Sequence, residues 1–419
     1  MTNDQSPNSP RYHTVDLDDG IRLAVATLPW TESAAFGIWV PTGSRHDPAP
    51  FSGLAHFVEH MTFKGTARRN ARAISVEIEG QGGALNASTS EEHTCYEAYA
   101  EAELLPLLAD IASDIVWHPT FPAGEFALER EVIREEILHY RDSPSDHITD
   151  LLARALWAPH RLGHPISGTP ESIDLIEPRH LREHAAAHHH RRDMVIGVAG
   201  PVGPDEAARI VAPLLPASPA TDPRPEDPFI PDESAAPARL RETRETGQLH
   251  LAVGFLAPGR HHPDRFALRL LSLILGENSS SRLFQELRER RGLCYHVSSD
   301  VSLFSETGAL EITLALEPEH RQLALDCIRR ELDDLMENGP TADEIQRAKR
   351  YTIGQSKIGF ETTASHLFWT AESLLYHNRI IEPEEIRENI RRVTLEDAAR
   401  VAAATFHPDR AVIAEIAPA

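Results

Sequence analysis

The sequence predicts an α+β protein in two halves, and three observations carry that expectation. At 419 residues the chain exceeds what one ordinary hydrophobic core organises and suits two domains of roughly 200 residues each. A polar stretch at 216–238, with Pro216, Pro219, Pro223, Pro225 and Pro228 and no hydrophobic periodicity, reads as a stiff exposed linker. It separates an amino-terminal half-domain, 1–215, from a carboxy-terminal one, 239–419. On both sides strand-like segments lead, and helices and further strands follow.

Each element has a local reason. Residues 21–26 and 35–40 are short runs rich in apolar and β-branched residues, which read as a leading pair of strands. Residues 53–61 carry a His-x-x-Glu-His run suited to a helix. A Gly82-Gly83 turn precedes 84–96, which is β-prone at its far end and reads as an edge strand. After the breaker at 119–122, apolar residues recur at helical spacing through 123–138 until Ser143-Pro144 ends them. Residues 194–200 form an apolar run typical of a buried strand. The second half opens at 248–255 with another, and 341–376 is a pair of core-packing helices.

The His-x-x-Glu-His run is the chemically informative segment. On a helix His56 and His60, four apart, share one face with roughly 5–6 Å between Cβ atoms, so two imidazoles can converge on one tetrahedral Zn²⁺. Glu59, three residues after His56, shares that face. It lies near a metal without having to bind it, in position to take a proton from a water whose pKa the metal lowers. The pattern arises by chance about 0.1 times in a chain of this composition, so the hypothesis requires a third ligand on another element. The helix at 123–138 offers Glu129 and Glu136, seven apart on one face, with Glu135 as the neighbour of the second.

This motif, with an acidic helix some 76 residues beyond its second histidine, resembles the pitrilysin or insulinase family of inverted-zincin metallopeptidases. The form it resembles is the short bacterial one of two half-domains, similar to the β subunit of the mitochondrial processing peptidase. Further matching segments are 56–66, 82–90, 129–136 and 275–295, in the family's order. The resemblance implies two similar half-domains, each a mixed, mainly antiparallel sheet packed with helices. It implies one Zn²⁺ per chain held by His56, His60 and Glu136, with Glu59 as general base and Glu129 as a carboxylate behind the ligands. By the same resemblance Asn86 and Ala87 hold a peptide added alongside the edge strand. Arg288 and Tyr295, in the other half-domain, clamp the substrate and stabilise the oxyanion. At 276–278 the family often has a glycine run where this chain has Gly276-Glu277-Asn278.

The expected function is zinc-dependent endopeptidase action on short or unfolded peptides. The alternative is a non-catalytic peptide-binding or assembly subunit of a heteromeric peptidase, as in relatives that keep the fold and lose the metal. Because one chain holds both the zinc ligands and the Arg/Tyr pair, a homodimer with two complete sites is the economical assembly; a heterodimer with an inactive sister subunit is the other.

A net charge of −23 argues against nucleic acid as a partner, since no basic stripe is available for phosphates, and suits basic peptides. Three cysteines, Cys95, Cys294 and Cys327, point to a reducing compartment rather than a disulfide framework. The first ten residues lack the pattern of a secretory or mitochondrial leader, and no apolar run is long enough to span a membrane; the expected location is the cytoplasm. The histidines at 188–190, and His160 with His164, lack a third ligand and read as structural.

Overall fold

The structure, a computed structural model, describes residues 9–17, 20–217, 220–223, 228–231 and 238–419. Residues 1–8, where no leader is expected, and parts of the stretch read as a linker lie outside the described residues.

Two compact units emerge: 1–137 with 165–226 and 358–382, and 138–164 with 227–357 and 383–419. The first contains a six-stranded sheet of β1 (Arg11–Asp16), β2 (Arg22–Thr27), β3 (Ser33–Val40), β4 (Ala84–Thr89), β5 (Thr94–Glu101) and β6 (Val195–Gly200), ordered β1-β2-β6-β3-β5-β4. Only the β2–β6 pair is parallel. Both faces are covered, so β2, β3 and β6 are buried almost end to end instead of alternating. One face packs on Ile74, Ile78, Leu108 and Ile115 of the helices Ala71–Glu79 and Leu105–Trp117. The other packs on Leu367, Ala371 and Leu374 of the helix Thr363–His377. Gly197 lets that helix close on the sheet: a Cβ there would lie 2.7 Å from Leu367 Cδ1.

The second unit's sheet comprises β7 (Arg239–Arg244), β8 (Leu249–Pro258), β9 (Cys294–Leu303), β10 (Thr307–Leu316) and β11 (Val412–Pro418), ordered β7-β11-β8-β10-β9. Its one parallel pair is β7–β11. Strand for strand this repeats β2-β6-β3-β5-β4, so the chain is a duplicated α+β protein with two mixed, mainly antiparallel sheets. One face carries the large core with Leu268, Leu271, Ile328, Leu332 and Val401. The other is covered by Ile148, Leu151, Leu152 and Trp157 of the helix Pro144–Trp157.

Three differences from the sequence expectation have physical causes. Residues 21–26 and 35–40 do form strands, but they are not neighbours, because β6 inserts between them. The segment 84–96 is two strands, of which β4 alone is the edge. The units also exchange helices relative to a single division at 216–238. The helix Pro144–Trp157 belongs to the second sheet and Thr363–His377 to the first, since an apolar stripe does not specify which sheet it will cover. Among the described residues no helix is long and apolar enough to cross a membrane.

Candidate active site

The motif occupies the helix Leu54–Thr62 in the first unit. Gly53 begins it with φ +90°, a left-handed conformation, and a Cβ there would meet the Ser167 carbonyl oxygen at 2.5 Å. The free N–H groups of the first turn are taken by the buried Asp47: Gly53 and Leu54 donate to Oδ2 at 2.8 and 3.0 Å, and Ala55 to Oδ1 at 2.9 Å. A carboxylate at this end also suits the helix dipole. Leu54, Phe57, Val58 and Met61 pack with Phe126, Ile133 and Ile137 of the helix Ala123–Asp142, and the Phe57 and Phe126 rings stack at 4.9 Å. This apolar contact fixes the two helices, so their polar faces meet at a set distance.

At that meeting His56 Nε2 lies 3.7 Å from Glu136 Oε1, and His60 Nε2 lies 3.5 Å from Glu136 Oε2. The three ligand atoms fall within 4.8 Å of one another, and among the described residues this is the sole cluster of three or more such groups able to hold a metal ion. Tetrahedral zinc ligands at 2.0–2.1 Å stand about 3.4 Å apart, so the donor set fits zinc. Of the two adjacent glutamates, Glu136 meets the histidines while Glu135 is exposed.

His60 Nδ1–H donates to Glu129 Oε1 at 2.9 Å. A carboxylate can only accept, so this bond leaves the Nε2 lone pair free to ligate. Lys64 donates to the other oxygen of Glu129 at 2.5 Å. Burial would raise the Glu129 pKa, but the bonds from His60 and Lys64 bring it below the ordinary value. Burial likewise pulls His60 down, yet Glu129 and the charges of Glu59 and Glu136 carry it upward. His56, buried and beside His60, is pushed down to about 3 and is neutral at physiological pH.

Glu59 is buried on the same helix, and its pKa is raised by that burial against a hydrogen bond from Thr89. Thr89 Oγ1 donates to Glu59 Oε2 at 2.5 Å. The other carboxylate oxygen takes no hydrogen bond among the described residues.

Asn86 and Ala87 lie on β4, whose outer side is the open edge of the sheet. Asn86 is exposed and pairs in register with Glu97, to whose buried carboxylate its amide bonds. In the second unit, the Arg288 guanidinium sits over the Phe284 and Tyr295 rings, 4.7 and 5.1 Å from their centroids. Tyr295 is the second residue of β9 and is 83% exposed. Sequence reasoning did not single out Asp47, Lys64 or Thr89. The last two sit inside the quoted motifs, but their partners are reached only through tertiary contact. Two of the histidines read as structural have such partners: His188 Nδ1 lies 3.0 Å from Thr42 Oγ1, and His189 Nδ1–H donates to the Val116 carbonyl at 3.0 Å.

Fold and site together define a duplicated α+β protein with a His/His/Glu centre in its first unit. Comparison with known proteins agrees. The family model for Insulinase (Peptidase family M16) matches residues 22–170, and that for the Peptidase M16 inactive domain matches 176–351. The latter span contains none of His56, Glu59, His60 or Glu136. Uncharacterized zinc proteases of Mycobacterium tuberculosis and of Bacillus subtilis, the latter called YmxG, are each 33% identical over 396 residues. These alignments span 94% of this chain and 90% and 95% of those proteins. A protease from Helicobacter pylori shares the fold with a TM-score of 0.91 at 20% identity, covering 98% of this chain and 100% of that one. The peptidase M16 inactive domain from Pseudomonas fluorescens does so with a TM-score of 0.88 at 22% identity, covering 98% of each. The chain belongs to the insulinase family, peptidase family M16.

Proposed function

We propose that this chain is a zinc-dependent endopeptidase that hydrolyses short or unfolded peptides. The observation that carries the reading is the convergence of His56, His60 and Glu136 ligand atoms within 4.8 Å, with Glu59 beside them and outside the set. Bound there, zinc would polarise the scissile carbonyl and lower the pKa of the attacking water.

The chain's own residues account for the remaining steps. Glu59 takes the water's proton on the oxygen that Thr89 leaves free and delivers it to the departing amine. Glu129 keeps His60 in the ligating tautomer. The open edge of β4 accepts the peptide as an added strand, which gives affinity from backbone hydrogen bonds with little demand on sequence. Asn86 and Ala87 grip it near the scissile bond. Tyr295 and Arg288 steady the peptide and the oxyanion. The net charge of −23 favours basic peptides. The working assembly in this reading is a homodimer with two complete sites, and the mass of the purified active species separates it from pairing with an inactive sister subunit. Three buried free thiols suit a cytoplasmic setting.

The test is zinc content together with cleavage of a quenched basic peptide, with and without chelator. Expected are about one zinc per chain and chelator-sensitive cleavage. Glu59→Gln should keep the zinc and lose at least about 100-fold in turnover. Turnover that survives in Glu59→Gln would refute the base assignment, and a zinc-free preparation that cleaves equally well would refute the metal mechanism.

A further inference from the structure

The terminal torsion of a glutamate side chain is broad and roughly two-fold, so geometry along the chain alone does not orient the Glu59 carboxylate. Its one hydrogen bond among the described residues comes from Thr89, at 2.5 Å, the short distance of a hydroxyl donating to an ionised oxygen. Thr89 is itself held rigidly. It closes β4 in register with Thr94, and the next residues form a turn in which Ser90 N donates to the His93 carbonyl at 2.8 Å while Ser44 N donates to the Ser90 carbonyl at 3.0 Å. Three residues earlier on the same strand stands Asn86.

We propose that Thr89 is a positioning residue for the base: its hydroxyl locks one oxygen of Glu59 so that the other faces the water, and ties that orientation to the strand on which the peptide is laid. A threonine at a strand end needs no such role for folding, since Val has nearly the same shape and β preference. What Val lacks is the donor. The inference rests on the peptidase reading above and adds that the edge strand organises the base as well as the substrate.

The experiment compares kcat, KM and zinc content of the full chain with those of Thr89→Val and Thr89→Ser. Thr89→Val should lower kcat about 10²-fold, the scale of a misplaced reacting group, with KM and zinc content unchanged, and Thr89→Ser should recover most of the loss. A merely structural threonine would move KM, zinc content and unfolding midpoint along with kcat, and serine would not rescue it. Wild-type kcat in Thr89→Val overturns the proposal. Crystal structures of the three zinc-loaded proteins give a readout that needs no turnover. A Glu59 carboxylate turned in Thr89→Val and restored in Thr89→Ser upholds the proposal, and one orientation in all three overturns it. If the wild-type chain cleaves no peptide, the peptidase reading falls while the crystallographic comparison still decides the role of Thr89.

Discussion

Replacing Glu129 by Leu isolates the carboxylate behind His60 and separates two effects that the structure superimposes. One oxygen of Glu129 accepts from His60 Nδ1–H at 2.9 Å and the other from Lys64 at 2.5 Å, with the residue itself only 5% exposed. Without the acceptor, His60 is free to adopt the tautomer whose Nε2 carries the proton and cannot ligate. Removing such a supporting carboxylate typically costs 10- to 100-fold in metal affinity, about 1.4–2.7 kcal/mol. Leu also strands the Lys64 ammonium. Its side chain keeps some access to solvent, so the cost to folding should be about 1–3 kcal/mol. The double variant Glu129→Leu/Lys64→Met removes the stranded charge; it should regain the stability and leave zinc affinity low. Competition with a chromophoric chelator reads the zinc Kd, and urea unfolding of the metal-free protein reads stability. Wild-type zinc affinity in Glu129→Leu would refute the claim that this carboxylate prepares the ligand. Recovery of affinity in the double variant would show that charge, not tautomer, was the cause.

Two further outcomes follow from the same geometry. Asp47→Ala leaves the buried Gly53 and Ala55 N–H groups at the start of the motif helix without an acceptor, while Leu54 keeps the Phe51 carbonyl; the expected loss is about 2 kcal/mol in urea unfolding, and a loss below about 0.5 kcal/mol would mean the helix start is held by packing alone. His189 is buried, and burial pushes its pKa down to about 4 against about 6.5 when exposed. The neutral ring's contribution is therefore complete above about pH 6.5 and is lost progressively down to about pH 4, some ~3 kcal/mol in all. In metal-free protein, His189→Gln should flatten the fall of the urea midpoint over that range, with His56 keeping part of the slope; an unchanged slope would show that His189 is not the group responsible.

The candidate site was legible in proportion to how local its parts are. His56, Glu59 and His60 lie within five residues of one another, so helical spacing alone puts them on one face. Glu136 was readable through the family resemblance, which sets the third ligand 76 residues after His60, and its seven-residue spacing from Glu129 separates it from Glu135. Asp47, Lys64 and Thr89 were not readable in their roles. Their side chains act on groups brought near by packing, and nothing in their own neighbourhoods marks the partner. The strands at 21–26 and 35–40 show the same limit in the fold. Each is plain from its apolar run, yet the strand between them, β6, comes from residues 195–200, and periodicity carries no information about pairing across such a distance.

The individual strands and helices that the sequence marks, and the shared face of His56, Glu59 and His60, depend on interactions a few residues apart and so could be read locally. It took the assembled fold to show that the segment read as one edge strand divides into β4 at the edge and β5 inside the sheet, that the two sheets repeat one strand order, and that the helices Pro144–Trp157 and Thr363–His377 cover sheets other than those their positions in the chain suggest. The tertiary structure also decided that the Glu59 carboxylate is held by a hydroxyl from that edge strand. These features rest on long-range burial of apolar faces, which is non-directional and roughly proportional to area, so the choice among alternative partners is made by the fit of the assembled core and not by any local segment.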